Sequence, residues 1–404
     1  MYDVIVIGGG PAGMFAAITA GRRGKRVLLL ERNDRLGKKL RITGKGRCNV
    51  TNDCTAQEVL QNVPRNGRFL FSAVTAFPPE RTMEFFESMG CPLKTERGNR
   101  VFPQSDSALS IQAALDRALE ETKVTIVKQR VKRICCEDGK VCGVETEHEV
   151  FKAPKVILAT GGCSYPTTGS TGDGYEMASS LGHTIVKPVG SLVPLEMEGE
   201  DCLKMQGLSL RNVAVKLLDP KGKCAYKDFG ELLFTHFGVS GPTVLSASAH
   251  MGKPGTYTLV LDLKPALDEG KLDARILRDL ELYKNRSMSN AMTDLLPRSM
   301  IPVVLQRAQI DEELEANSLT RQQRHNLVQT LKAFRLTITG KRPVKEAIVT
   351  SGGVKTGEVD PKTMGSKLVP GLYFAGEILD CDAYTGGFNL QIAWATAFAA
   401  AQDV

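Results

Sequence analysis

A doubly wound α/β fold interrupted by a large insertion is what this sequence predicts, and three observations predict it. Residues 3–7 (DVIVI) form a short, wholly apolar run, as expected of a parallel strand covered on both faces. A glycine turn, Gly8-Gly9-Gly10-Pro11, follows directly and opens a helical stretch. The same strand-then-glycine character recurs at residues 155–162 and again from about 342 to the end, with a section of different character between them.

Residues 11–23 read as a helix with Met14, Ala17 and Ile18 on one face. Gly24 ends it, and Val27 to Leu30 make the next strand, which completes one βαβ unit. Residues 33–66 are rich in Gly, Lys, Arg and Asn and read as an extended loop. Residues 107–122 are predicted helical, with Leu109, Ala113, Leu115 and Leu119 as the apolar positions. Strands near 124–134 and 141–151, joined by Glu137-Asp138-Gly139-Lys140, form a hairpin. KVILAT (155–160) is a further buried strand. From about 190, Val213, Val215 and Leu217 alternate with their neighbours, Pro220-Lys221-Gly222-Lys223 turns the chain, and 256–263 (TYTLVLDL) is a strand of the same antiparallel section. Residues 270–335 are charged and helix-periodic, with a Thr320/Gln323 capping box ahead of Leu327, Val328, Leu331 and Phe334.

Composition excludes little and steers a good deal. The chain has 404 residues, 42% apolar and 24% charged, which suits two or three globular domains. A net charge of +7 fits an anionic cofactor or substrate and does not by itself argue for nucleic acid. Ten scattered cysteines with no CxxC pair, two of them the adjacent Cys135 and Cys136, read as reduced thiols in a cytoplasm. The apolar N-terminus lacks a basic leader and is broken by glycine, so it is no signal peptide. No stretch is long enough to span a bilayer.

The strongest chemical signal is Gly8-x-Gly10-x-x-Gly13, with Pro11 and Ala12 inside it and Ala17 after it. Alone the motif is weak. Here it follows an apolar strand and opens a helix, and Glu31 closes the next strand 18 residues past Gly13. Gly8 permits the tight turn, Gly10 lets backbone approach a pyrophosphate, and Gly13 and Ala17 allow close helix–strand packing. The helix N-terminus supplies N–H donors and Glu31 can accept from ribose hydroxyls. An extended dinucleotide such as FAD needs a second contact region. VILATGG (156–162) offers Thr160 and Gly161, and GLYFAGE (371–377) offers Gly376 and Glu377. The turn and helix start at Gly387, Phe388, Asn389, Leu390 and Gln391 can point at the flavin N1–O2 edge. Lys39 and Arg47 can neutralise pyrophosphate, and Gly44 and Gly46 let backbone approach the ring.

At GKKLRITGKGRCNVTN (37–52), ATGGCSYPTTGSTGDGY (159–175), GELLFTHFGVSGP (230–242) and the segment 347–391, the chain resembles a flavoprotein family. It is the NAD(P)/FAD-dependent oxidoreductases that include 3-dehydro-bile acid Δ4,6-reductase and aminoacetone oxidase. Lys45 stands where that family usually has glycine, Gly365 where it usually has glutamate, and Ala383-Tyr384-Thr385 occupies a variable loop. The resemblance implies a Rossmann-type, three-layer FAD domain (1–190 and 341–404) interrupted by a β-barrel-like insert (191–268) and a helical insert (269–340). It also implies FAD contacts at Gly8 to Gly13, Glu31, Arg32, Lys38, Lys39 and Gly44 through Asn49 (Cys48 included). Further contacts fall at the Val131 backbone (to adenine), Gly161, Asp380 and Asn389 to Gln391.

The proton donor is left open. His236, in the Thr235-His236 pair, Tyr165 and Tyr384 are candidates, each set against a structural role, and Cys48 can be a flavin neighbour or a small buried thiol. No metal or hydrolytic constellation is visible. The leading expectation is a reductase in which NAD(P)H delivers hydride through flavin N5 to an activated C=C of a small molecule; the enone, steroid or bile-acid character comes from the resemblance. An oxidase of small amines is the alternative, and an RNA-modifying flavoprotein, suggested by Arg22-Arg23-Gly24-Lys25-Arg26 and Arg321 to His325, is the reading from another class. Neither nucleic acid nor membrane is expected as a partner.

Overall fold

A computed structural model describes all 404 residues. Its contacts divide the chain into two compact units, Met1–Ser191 with Val344–Val404, and Leu192–Pro343.

The first unit is organised by a five-stranded parallel sheet. Its order is Leu372–Phe374, Val156–Leu158, β1 (Val4–Ile7), β2 (Val27–Leu30) and Thr125–Val127. β1 and β2 are buried on both faces, which is why they read as unbroken apolar runs. The chain runs from β1 to β2 on one side and later to Val156–Leu158 on the other. A crevice therefore opens beyond the carboxyl ends of β1 and Val156–Leu158, where this fold class binds its ligands. Helix α1 (Pro11–Arg22) is buried almost all round from Ala12 to Ala20, so the single apolar face expected for it is too narrow a description. The C-terminal helix Phe388–Asp403 covers it, with Phe15 edge-on to Trp394 at 5.6 Å between ring centroids.

Three sequence expectations are corrected here. The stretch 33–66 is not an extended loop: it holds helices Lys38–Ile42 and Ala56–Gln61 and the strand Thr51–Asn52. Elements of five or six residues are too short to show a period. In helix Ala108–Glu121, Leu109 is exposed and the buried face is Ile111, Ala114, Leu115, Ala118 and Leu119. The hairpin is Val131–Glu137 with Lys140–Thr146, preceded by a separate strand, Thr125–Val127, that belongs to the parallel sheet. Its turn residues Asp138 (φ 51°) and Gly139 (φ 74°) are both left-handed, as a tight two-residue hairpin requires.

The second unit is a closed six-stranded barrel with helices on it. The barrel order is Leu195–Met197, Gly238–Ser240, Cys224–Thr235, Ser209–Leu218, Tyr257–Asp262 and Phe334–Lys341, and the last strand pairs back with the first. Val213, Val215 and Leu217 point inward. Helices Glu269–Leu282 and Arg321–Lys332 add Leu272, Ile276, Leu327 and Leu331 to the same apolar core, so barrel and helices share one interior. The capping box at Thr320/Gln323 forms, while Phe334 lies in the closing strand.

Candidate functional site

The turn between β1 and α1 is shaped by contact distances that only glycine meets. Gly8 has φ +107°, and a Cβ there would lie 2.5 Å from the carbonyl oxygen of Ala159. A Cβ on Gly13 would lie 1.8 Å from the carbonyl oxygen of Gly8. At Gly10 a Cβ would meet no heavy atom within 4 Å, so this backbone faces open space. Pro11 begins the helix, and the N–H groups of Ala12 and Gly13 have no intrahelical acceptor. Glu31, buried at the end of β2, braces the turn. Its Oε2 accepts from Gly9 N–H (2.7 Å), and its Oε1 accepts from the N–H and the Nδ2–H of Asn33 (both 2.7 Å). A carboxylate has about four acceptor positions, so one is left for a ligand hydroxyl.

An elongated cavity runs from this turn. Of the residues singled out from sequence, Gly8, Gly10, Pro11, Ala12, Glu31, Arg32, Lys38, Lys39, Val131, Thr160, Gly161, Glu377, Asn389 and Leu390 line it. Each cation on its wall already has a carboxylate partner: Arg32 and Arg130 share Asp173, Lys38 meets Asp34 at 2.7 Å, and Lys39 meets Glu377 at 2.5 Å. A diphosphate here would therefore be held mainly by N–H groups and the field of α1.

Glu377 ties four chain segments together. Besides Lys39 it accepts from the Ser164 hydroxyl (2.9 Å) and the Thr350 N–H (2.8 Å). Thr350 Oγ1 in turn accepts from the N–H groups of Cys163 (2.8 Å) and Ser164 (3.1 Å). Burial opposes the charge on Glu377, but the Lys39 ammonium, with the Thr350 and Ser164 donors, holds the carboxyl below its ordinary range. Lys39 also donates to Ser164 Oγ at 2.6 Å, which leaves the third of its three N–H donors for the cavity.

The other singled-out residues lie elsewhere. Gly376 is left-handed and packs against Ala12, where a Cβ would come within 2.7 Å of the Ala12 methyl. Gly387 is left-handed and abuts the Thr51 carbonyl, and Phe388 begins the C-terminal helix. Asn389 lines the cavity, but its amide clasps Ala383, accepting from its N–H at 2.9 Å and donating to its carbonyl at 2.7 Å. The Gln391 amide is engaged inside the protein by Thr51, Thr82 and the Phe77 carbonyl, so it faces no ligand. Gly44, Gly46, Arg47, Cys48 and Asn49 stand outside the cavity lining. Arg47 is bound by Glu96 and Asp106 and lies over Phe102, 4.1 Å from its centroid, and so does not stand ready to neutralise a diphosphate. Burial pushes the Cys48 thiol up to about 12, which keeps it protonated at neutral pH. Tyr165, left-handed at φ 53°, and Asp380, whose carboxyl burial raises, also stand off the wall. His236 is exposed in the tight turn between strands Cys224–Thr235 and Gly238–Ser240, against Phe237. Sequence reasoning missed Asn33, Arg130, Ser164, Asp173 and Thr350. For Ser164 and Asp173 the signal was present in 159–175, but nothing local showed their partners.

The loop that carries Arg47 is strained. Gly44, Lys45, Gly46 and Cys48 are all left-handed, and Lys45 (φ 59°) is the exposed non-glycine among them. Lys45→Gly should remove about 1–2 kcal/mol of strain and return about 0.5–1 kcal/mol to unfolded-chain entropy. The expected result is a small gain, roughly 0.5–1 kcal/mol, read as a higher urea midpoint at unchanged slope. A lower midpoint would show that the lysine side chain itself stabilises the loop.

An adenine dinucleotide fits these walls on three counts: the unfilled space over Gly10, the open N–H groups of α1, and the buried Thr160 hydroxyl, which has no partner within the protein. The family model "HI0933-like protein Rossmann domain" matches residues 2–403. The chain belongs to this family. Among curated relatives, this HI0933-like chain is 32% identical to a 3-dehydro-bile acid delta(4,6)-reductase of Clostridium scindens over 99% of this chain and 98% of that one. It is 31% identical to a ribosomal RNA dihydrouridine synthase of Escherichia coli over 100% and 98%. Its fold is similar to 3-ketosteroid delta1-dehydrogenase from Sterolibacterium denitrificans, with a TM-score of 0.51 at 15% identity, covering 100% of this chain and 99% of that one. This HI0933-like protein is thus a FAD-dependent oxidoreductase. No helix in it is long and apolar enough to cross a membrane.

Proposed function

We propose that this enzyme reduces a carbon–carbon double bond conjugated to a carbonyl, with NAD(P)H as electron donor. The observation that carries the reading is the pair of full-length matches, at 32% and 31% identity, to proteins whose names describe one chemistry. A 3-oxo-Δ4,6 steroid and the uracil ring of uridine each hold a C=C beside a carbonyl, and each gains two hydrogens. Bound FAD supplies the two-electron chemistry. In this reading the turn from Gly8 to Gly13 and the start of α1 hold the diphosphate, and Glu31 takes a ribose hydroxyl. Lys39, aimed by Glu377, would offer its free N–H to the cofactor, and Leu390 would supply apolar wall to it. Asn389 fixes the turn Ala383–Gly387 ahead of the C-terminal helix, so that the helix start is rigid.

A small 3-oxo-Δ4 compound is the first substrate class. A uridine of ribosomal RNA is the second, favoured by the dihydrouridine synthases of Escherichia coli and Haemophilus influenzae at 31% and 28% identity. Anaerobic mixing with NADH or NADPH should bleach the flavin, and a 3-oxo-Δ4 steroid or uridine-containing ribosomal RNA should restore its colour. If neither nucleotide bleaches it while aminoacetone does, the protein is an amine oxidase and the reductase reading is wrong.

A further inference from the structure

The segment GSTGDGY (169–175) is left without a role by everything above, although part of it lines the cavity. Asp173 is the point where three distant pieces of chain converge. Its Oδ2 accepts from Arg32 (Nη1, 2.9 Å), which follows β2, and from Arg130 (Nη2, 2.8 Å, and Nε, 3.0 Å), which precedes the strand Val131–Glu137. Its Oδ1 accepts from the Thr171 hydroxyl, which itself accepts from Arg32 at 2.7 Å. One step earlier, Asn33 Nδ2 donates to the Thr168 carbonyl at 3.1 Å, and a Cβ on Gly169 would lie 2.5 Å from that same nitrogen. The backbone of the segment is bent to reach these partners, with left-handed Tyr165, Gly169 and Gly172. Burial works against the charge of Asp173, but the Thr171 hydroxyl and the two guanidiniums hold its carboxyl below the ordinary range. Its place as first residue of helix Asp173–Ser180 adds to this.

We infer that residues 166–172 form a strap that retains the adenosine half of the dinucleotide, with Asp173 as its latch onto Arg32 and Arg130. The inference rests on FAD occupying this cavity. Thr168 to Asp173, Arg32 and Asn33, and Gln129 to Val131 are all wall residues, so the latch joins three sides of one end of the cavity. Asp173 and Arg130 touch each other rather than the reacting atoms. They are positioning residues, and their loss should change how fast the cofactor leaves without changing the electronic properties of its ring.

The test uses purified holoprotein. FAD release is followed by its fluorescence gain after dilution to a concentration at which rebinding is negligible. Asp173→Ala and Arg130→Ala should each release FAD at least about tenfold faster, equivalent to about 1.4 kcal/mol, at an unchanged midpoint potential. Arg130→Lys, which keeps the charge but loses the two-point contact, should fall between. Arg130 is half exposed and outside any helix, so Arg130→Ala serves even if Asp173→Ala does not fold. Release rates equal to the parent's in a protein that holds FAD would sink the strap alone. A shifted midpoint potential with unchanged release would also overturn it, by placing the effect at the ring. A parent that holds no FAD would sink the cofactor reading itself.

Discussion

Gly13→Ala gives a protein that does not retain FAD and unfolds at a lower temperature than the parent. The added methyl would sit 1.8 Å from the carbonyl oxygen of Gly8, a backbone atom that cannot rotate away. Gly8 cannot yield either: it is held at φ +107° with its own Cβ direction closed at 2.5 Å by the Ala159 carbonyl. The helix must lift from the strand, at a cost of about 1–3 kcal/mol or more. Its first N–H groups then point about 1 Å away from the diphosphate, and a displacement of that size in a pre-set donor array costs on the order of a hundredfold in binding. Gly10→Ala is the control. No protein atom lies within 4 Å of its methyl, so the protein should fold with parental stability and still bind FAD weakly, because the methyl fills the space meant for phosphate. Flavin absorbance per protein and a thermal unfolding curve separate the two variants. A Gly13→Ala protein that is as yellow and as stable as the parent would show that the turn does not hold the cofactor.

That turn was legible in the sequence because all its parts are local. Gly8, Gly10, Gly13 and Glu31 fall within one βαβ unit, and strand, turn and helix each leave a short-range pattern. What stayed hidden depends on partners far along the chain. Arg47 looks like a free cation until Glu96 and Asp106 are seen beside it. Gln391 and Asn389 look like ligand amides until Thr51, Thr82 and Ala383 engage them. The barrel closes through a pairing of Leu195–Met197 with Phe334–Lys341, more than a hundred residues apart, which alternation in either strand does not reveal. The same holds for Ser164 and Thr350 around Glu377, whose spacing carries no signal until the fold brings their segments together.

Lys39→Met tests that last assembly, and its effect should depend on pH. The parent carboxylate of Glu377 has an ammonium at 2.5 Å and two neutral donors, and both side chains are 19% exposed. Breaking a buried pair by removing one partner costs about 3–5 kcal/mol; partial exposure reduces this to roughly 2–3 kcal/mol. In the parent the carboxyl is held below its ordinary value of 4.5, so its contribution to stability is present above 4.5 and is lost as pH falls below 4.5 through the lowered folded-state value. Without Lys39, burial prevails and the carboxyl rises above 4.5, so the variant becomes more stable, relative to neutral pH, as the medium turns acid. The deficit against the parent should therefore be widest near neutrality and narrow towards pH 4, as read from urea midpoints across that range. Glu377→Gln on top of Lys39→Met removes the stranded charge while keeping an acceptor for Thr350. The double variant should be more stable than the lysine variant alone, a sign reversal that simple loss of packing at position 39 would not produce. A deficit that is flat with pH, or a double variant that falls by the sum of the two changes, would mean that the pair does not interact across the cavity wall.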